Sequence, residues 1–489
     1  MTIHSLPFIV FFGAVFLLYY APLRVRDKAL YQNLLLLTAS YLFYGLVNWK
    51  MIPLLIATST VYYALGIAIA DAGESSAKAN MLAALGACIG VALLLYFKYL
   101  NFFITSFVDL FHLFGLQVNI HTLHIIMPLG LSFWTFKLIS YCFEVRDKTV
   151  ASVRGVIPFA VYVAFFPTMT AGPIDRPDKF IPQLRSERKF DYRIAVDGVR
   201  QMLWGMFKKL VIADRFTVTI DNAWNAPSKT TGINLLIAAF LFSVQIYADF
   251  SGYSDMAIGA GKLLALNTTK NFNYPFFARN IAEFWRNWHI SLTSWLTDYV
   301  FMPLHDRFRT WGKMGVILAI SINFLLVGLW HGANWTFVVL GVYHGILYIP
   351  LIISENFGRI PKHRLNKIGL PPLKDALHML LTFTLVTFGM TMLRANNLSH
   401  WLEYLRALVF NFFPLVLSSK SLQGETRILA SVALLFLEWF SFRYKMEYAL
   451  CLVIKFNRVC RYAVYVLIAV LVSAYLFGAD TQEFVYQQF

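Results

Sequence analysis

Charged side chains are scarce in this sequence: Asp, Glu, Lys and Arg supply 14% of its 489 residues, against about 25% in an ordinary soluble domain. With 58% of the chain hydrophobic and 17% aromatic, a soluble fold could not bury its apolar surface, and that class is excluded. Acidic residues are scarcer than basic ones, 26 against 42, a net charge of +16. Such an excess suits nucleic acid, but here the basic residues sit in short loops between apolar runs. That is the positive-inside pattern of a membrane protein facing anionic lipid, so lipid is the expected partner and nucleic acid is not.

Cysteine is nearly absent. Cys88, Cys142, Cys451 and Cys460 are scattered without metal or redox spacing, so each is expected to pack, and neither a metal nor a tightly bound cofactor is expected. The chain has no Gly-x-Ser-x-Gly elbow, no His-Glu-x-x-His helix and no Walker loop, which removes three common routes to an activated nucleophile or phosphate site. The first apolar segment has no basic n-region and no small-residue cleavage site, so it reads as a retained span. No internal repeat and no low-complexity linker interrupt the chain.

What is abundant is long uncharged sequence. About 20 apolar residues cross a bilayer, and runs of about that length or more lie at Met1 to Leu23, Ala29 to Trp49, Met51 to Ala70, Asn80 to Phe97, Leu110 to Phe136, Gly155 to Ile174, Thr230 to Ala248, Met314 to Ser354, Ala376 to Leu393 and Tyr462 to Ala479. The expectation is an all-α, polytopic membrane protein, one integral domain over residues 1–489, with about ten to twelve spans. One parity places the basic loops from Arg24 to Arg461 on the cytoplasmic side and the tail Thr481 to Phe489 outside.

Three regions break this pattern. Phe165 to Pro173, with two prolines and a glycine, is expected to be re-entrant, since irregular backbone at membrane depth must be buried in protein or line a cavity. Asp191 to Phe216 puts Val199, Met202, Leu203, Met206, Phe207 and Leu210 on one helical face and Arg200, Lys208 and Lys209 elsewhere, which predicts a helix lying flat on the membrane. Arg279 to Phe301 mixes charge with tryptophan and is placed as a cytoplasm-side helix dipping into a protein-lined cavity.

One of these regions and the longest uncharged run each carry a candidate histidine. Gly328-Leu329-Trp330-His331-Gly332-Ala333-Asn334-Trp335 divides the longest uncharged run, with glycines that allow close backbone approach to a ligand and tryptophans that exclude water. His289 follows Trp285 and Trp288. Polar residues at bilayer depth are costly and point to function, and an imidazole titrating near neutrality can take a proton from a hydroxyl as it attacks a thioester or ester. With no other nucleophile in view, direct transfer is the simpler route. His344, in a Gly341-xxx-Gly345 setting, reads as packing. Lys137, Asp249 and Asp255 either pair with one another or line an acceptor path.

The segments Pro128 to Tyr141, Phe166 to Pro173, Gln245 to Gly259, Asn271 to Pro275, Glu283 to Trp295 and Gly328 to Trp335, together with the aromatic ending Phe484 to Phe489, resemble in order the membrane-bound O-acyltransferase family, within the bacterial branch of alginate O-acetylation and teichoic-acid D-alanylation proteins. The alginate-type members are the closer fit. The resemblance implies a fold with a central tunnel, a catalytic core at about residues 125–350 followed by C-terminal helices at 375–489, and catalytic roles for His331 and His289. Trp285, Trp288, Trp330, Asn334, Trp335, Asp249 and Lys137 are the expected substrate-binding residues. It also implies an acyl thioester as donor substrate, acetyl-CoA or an acyl carrier in the cytosol, a periplasmic esterase-like acetyltransferase as partner, a polysaccharide acceptor pathway, and the bacterial inner membrane. Two alternatives stay open: D-alanyl transfer, and a proton-coupled transporter or flippase in which His331 and Asp249 relay protons.

Overall fold

The computed structural model describes residues 1–73, 76–117, 120–359, 365–366, 369–411 and 422–478. The aromatic ending and the tail expected outside lie beyond the described residues. Among those described the chain forms helices joined by turns and loops, with no strand, as its all-α reading requires, and makes two compact units: residues 1–199 with 257–269, and residues 200–256 with 270–489.

The first unit begins with α1 (Leu6–Tyr19), α2 (Lys28–Asn48), α3 (Ile52–Ala72), α4 (Ala77–Leu94) and α5 (Leu100–Leu113), and continues with α6 (Leu131–Arg146), α7 (Val156–Ala164) and the single turn α8 (Pro177–Phe180). Glycines on α3 and α4 let α6 approach: a Cβ at Gly66 would strike the Tyr141 ring, and one at Gly86 would sit 2.9 Å from Cys142 Sγ. Cys142 therefore packs, as its isolation predicts, whereas Cys88 and Cys460 are exposed and Cys451 is half-buried. Phe165 to Pro173 forms turns and is buried throughout, so its irregular backbone is surrounded by protein.

The chain passes to the second unit within α9 (Tyr192–Met206), which a π-helical turn, Phe207–Ala213, joins to α10 (Asp214–Trp224). The chain crosses back and forth again along α11 (Gly232–Leu263) and the loop after it. There follow α12 (Ile281–Asn287), α13 (Ile290–Leu296), α14 (Met302–Arg307), α15 (Lys313–His331), α16 (Trp335–Ile353), α17 (Leu373–Arg394), α18 (Leu398–Phe410), α19 (Leu422–Arg443) and α20 (Arg458–Gly478).

Seven segments among the described residues are long and apolar enough to cross a membrane, and one of them, residues 28–72, holds both α2 and α3. The chain is a multi-pass membrane protein, but three apolar runs are not built as long helices. Ser5 caps α1 and Pro7 starts it, giving 14 residues, about 21 Å at 1.5 Å per residue. Gly115, at φ 76°, follows the end of α5, so Leu110 to Phe136 is a helix end, a connection and a helix start. Gly155 to Ile174 yields only the nine residues of α7. Hydropathy records apolarity alone, whereas Pro and Gly decide helix length.

The flat interfacial helix also needs correction. Lys208 and Lys209 are buried, not turned away from the apolar face. The wider π turn shifts the register of α9 just where they lie, and carboxylates of the second unit receive both ammonium groups.

Within the second unit α15 and α16 meet backbone to backbone. A Cβ at Gly328 would strike the Phe337 carbonyl oxygen and lie 2.9 Å from Gly341 N, and one at Gly341 would lie 2.5 Å from the Phe324 carbonyl oxygen. Gly328→Val is therefore expected to lower stability by about 1–3 kcal/mol, read as an earlier thermal unfolding midpoint in detergent.

Candidate functional site

His331 is the last residue of α15, buried, and Gly332 after it is extended. A Cβ at Gly332 would run into the Phe337 ring, so this glycine admits an aromatic side chain of the protein to close quarters. Trp330 lies with its ring centroid 5.0 Å from that of His331. The same indole lies 5.1 Å from the ring of His289. The two histidines, 42 positions apart by their numbers, therefore converge on one tryptophan, separated at most by the sum of those distances.

His289 caps α13 in the left-handed conformation at φ 45°, a strained geometry for a residue with a side chain and one that clusters at functional sites. Its ring packs edge-on against Phe250 at 4.6 Å, and its Nδ1 lies 3.0 Å from Asn271 Oδ1. Burial, with a smaller push from His331, holds the imidazole well below its ordinary pKa. It is neutral, which is the state a proton acceptor needs.

The second unit also contains a cavity of about 360 Å³ lined by Trp285, Arg286, Ile290, Asn323, Val327 and Tyr348 among others, with neither histidine among its lining residues, within the range of small-molecule sites. Ile290 follows His289, and Val327 lies one helical turn before His331. Asn323 is buried, and its Oδ1 has no hydrogen-bond partner among the described residues, so an incoming donor group would be satisfied there.

The other expected residues divide. Trp285 lines the cavity and donates from Nε1 to His344 Nδ1 at 3.3 Å, which gives His344 the structural role read for it. Trp288 is buried among Phe272, Phe276 and Phe284. Asn334 caps α16, accepting from Thr336 N at 3.1 Å while Nδ2 donates to the Asn396 carbonyl at 2.6 Å. Trp335 is 51% exposed in the first turn of α16. Lys137 lies in the first unit, buried, donating to Thr168 Oγ1 at 3.1 Å.

Asp249 and Asp255 are paired, but with neither each other nor Lys137. Lys209 Nζ reaches Asp249 at 2.8 Å and Asp214 at 2.9 Å; Lys208 Nζ reaches Asp255 at 2.6 Å and donates to Ser251 Oγ at 2.8 Å. Sequence reading missed Asn323, an uncharged polar residue in an apolar run. It read Lys208 and Lys209 as lying off an apolar helix face and did not pair them with these acids. Among the described residues no cluster of His, Cys, Asp or Glu could hold a metal ion.

A family model described as the membrane-bound O-acyltransferase family matches residues 150–354, which contains both histidines and most of the cavity wall. A probable alginate O-acetylase of Azotobacter vinelandii is 35% identical over 444 residues, 87% of this chain and 84% of that protein. The chain belongs to the membrane-bound O-acyltransferase family. A peptidoglycan O-acetyltransferase of Helicobacter pylori is 31% identical over 421 residues, 81% of this chain and 77% of that protein. The teichoic acid D-alanyltransferase of Bacillus subtilis is more distant, 28% over 294 residues, 57% of this chain and 71% of that protein. As a member of this family the protein is an O-acyltransferase.

Proposed function

We propose that this O-acyltransferase moves an acetyl group from a cytoplasmic thioester, acetyl-CoA or an acyl carrier, across the bacterial inner membrane for O-acetylation of an extracellular polysaccharide such as alginate. The observation that carries this reading is the convergence of His289 and His331 on Trp330. His331 takes the proton of the attacking hydroxyl as the carbonyl–oxygen bond forms, and gives that proton to the departing thiolate as the carbonyl–sulfur bond breaks. His289 assists on the donor side. Trp285 and Asn323 line the cavity of the same unit. A periplasmic esterase-like acetyltransferase then carries the group to the glycan.

Acetyl is favoured over D-alanyl because the acetyl-transferring relatives share more identity over more of the chain. Mass spectrometry of surface glycans from cells with and without the gene tests the assignment: loss of the acetyl mass increment is expected, and loss of D-alanine with acetyl retained would overturn it.

A further inference from the structure

The strained turn at His289 is held by a residue to which the proposed chemistry gives no task. Asn271 is fully buried, and both polar atoms of its side chain are engaged. Oδ1 accepts from the Ser291 backbone N–H at 3.2 Å and from Ser291 Oγ at 2.9 Å; Nδ2 donates to Ser254 Oγ on α11 at 3.2 Å. A backbone amide only donates, so the atom facing Ser291 is the amide oxygen and the side chain has one orientation. His289 Nδ1 lies 3.0 Å from that same oxygen. A ring nitrogen facing an atom that can only accept must carry the proton.

We propose that Asn271 is a positioning residue that holds His289 in the Nδ1–H tautomer, leaving Nε2 as its basic nitrogen. The inference rests on the reading of His289 as part of the transfer site. A second observation points the same way: the Asn271 carbonyl accepts from the Ile290 backbone N–H at 2.9 Å, and the neighbouring Asn273 N–H donates to the Asn287 carbonyl at 3.0 Å. The loop that fixes the proton on the ring thus also pins the left-handed backbone beneath it. Facing the ring from elsewhere are Phe250 on α11 and Trp330 and His331 on α15. Of these His331 alone titrates, and its proximity disfavours a charge on His289.

The tautomer is directly measurable. In the full chain in lipid nanodiscs, nitrogen-15 NMR of labelled histidine, with His289 assigned by the signal lost in His289→Gln, is expected to show a protonated Nδ1 and a bare Nε2. A protonated Nε2 would overturn the proposal, and this reading requires no variant of Asn271 to fold. With purified protein, Asn271→Leu is expected to lower kcat by about 10- to 100-fold, the usual cost of removing the partner that orients a histidine, with KM for the thioester within about twofold. Asn271→Asp keeps an acceptor and is expected to recover most of that rate. It would also move the acid limb of the pH–rate profile upward, because a carboxylate stabilises the imidazolium. Unchanged kcat and pH profile in Asn271→Leu would sink the positioning role. Full activity in His289→Gln would instead bring down the transfer-site reading, whichever nitrogen carries the proton.

Discussion

His331→Ala is expected to lower acetyl transfer by about 10²- to 10⁴-fold, the range supplied by a positioned general base, while leaving the protein folded. The ring lies at the end of α15, where its removal leaves the Gly328–Gly341 crossing of α15 and α16 untouched. The cost therefore falls on chemistry more than on stability. The measurement is transfer of labelled acetyl from a thioester to a hydroxyl acceptor by purified protein in detergent, with the unfolding midpoint recorded in parallel. Detergent removes any gradient, so activity that disappears with the imidazole is incompatible with a pure transporter. A variant that retains wild-type rate within about threefold would remove His331 from the reaction, since a base worth so little contributes less than 1 kcal/mol to the barrier. His331→Gln sharpens the test, because it keeps polarity and hydrogen bonding but cannot accept a proton at neutral pH.

The two histidines were legible in the sequence because polar residues in apolar surroundings are visible without a fold, and aromatic neighbours marked both. What could not be read was which neighbours reach across. Trp330, beside His331 in the chain, turns out to be the ring that both imidazoles touch; Trp335, four positions beyond His331, is half exposed, because Asn334 starts a new helix and resets the facing direction. Asn271 is one polar residue in a loop, and only its convergence with Ser254, His289 and Ser291 gives it meaning. The fold class followed from composition, whereas helix lengths followed from local breakers such as Ser5, Pro7 and Gly115, to which average hydropathy is blind. The pairing of Lys208 and Lys209 was hidden for a different reason. A π turn changes which residues share a face, and nothing in a periodicity of 3.6 announces one.

Those lysines lead to the largest expected loss of stability. The Lys209 ammonium lies between Asp249, whose side chain is 0% exposed, and Asp214, at 8%. Next to it Lys208 pairs with Asp255, and α9 and α11 approach so closely here that a Cβ at Gly205 would lie 2.5 Å from the Gly252 carbonyl oxygen. A carboxylate with no exposed surface gains little solvation when its shared cation is removed. Lys209→Met keeps the length of the side chain and removes only the charge, and is expected to cost about 3–5 kcal/mol, the usual penalty for taking one partner from a buried pair. It would appear as a lower unfolding midpoint and a lower yield in detergent. Asp249→Asn in the same chain removes the buried negative charge and is expected to restore part of the loss, since partners in one network do not act additively. If Lys209→Met unfolds at the wild-type temperature, the ion pairs are not what holds the end of α9 against α11, and the glycine contact alone must do so.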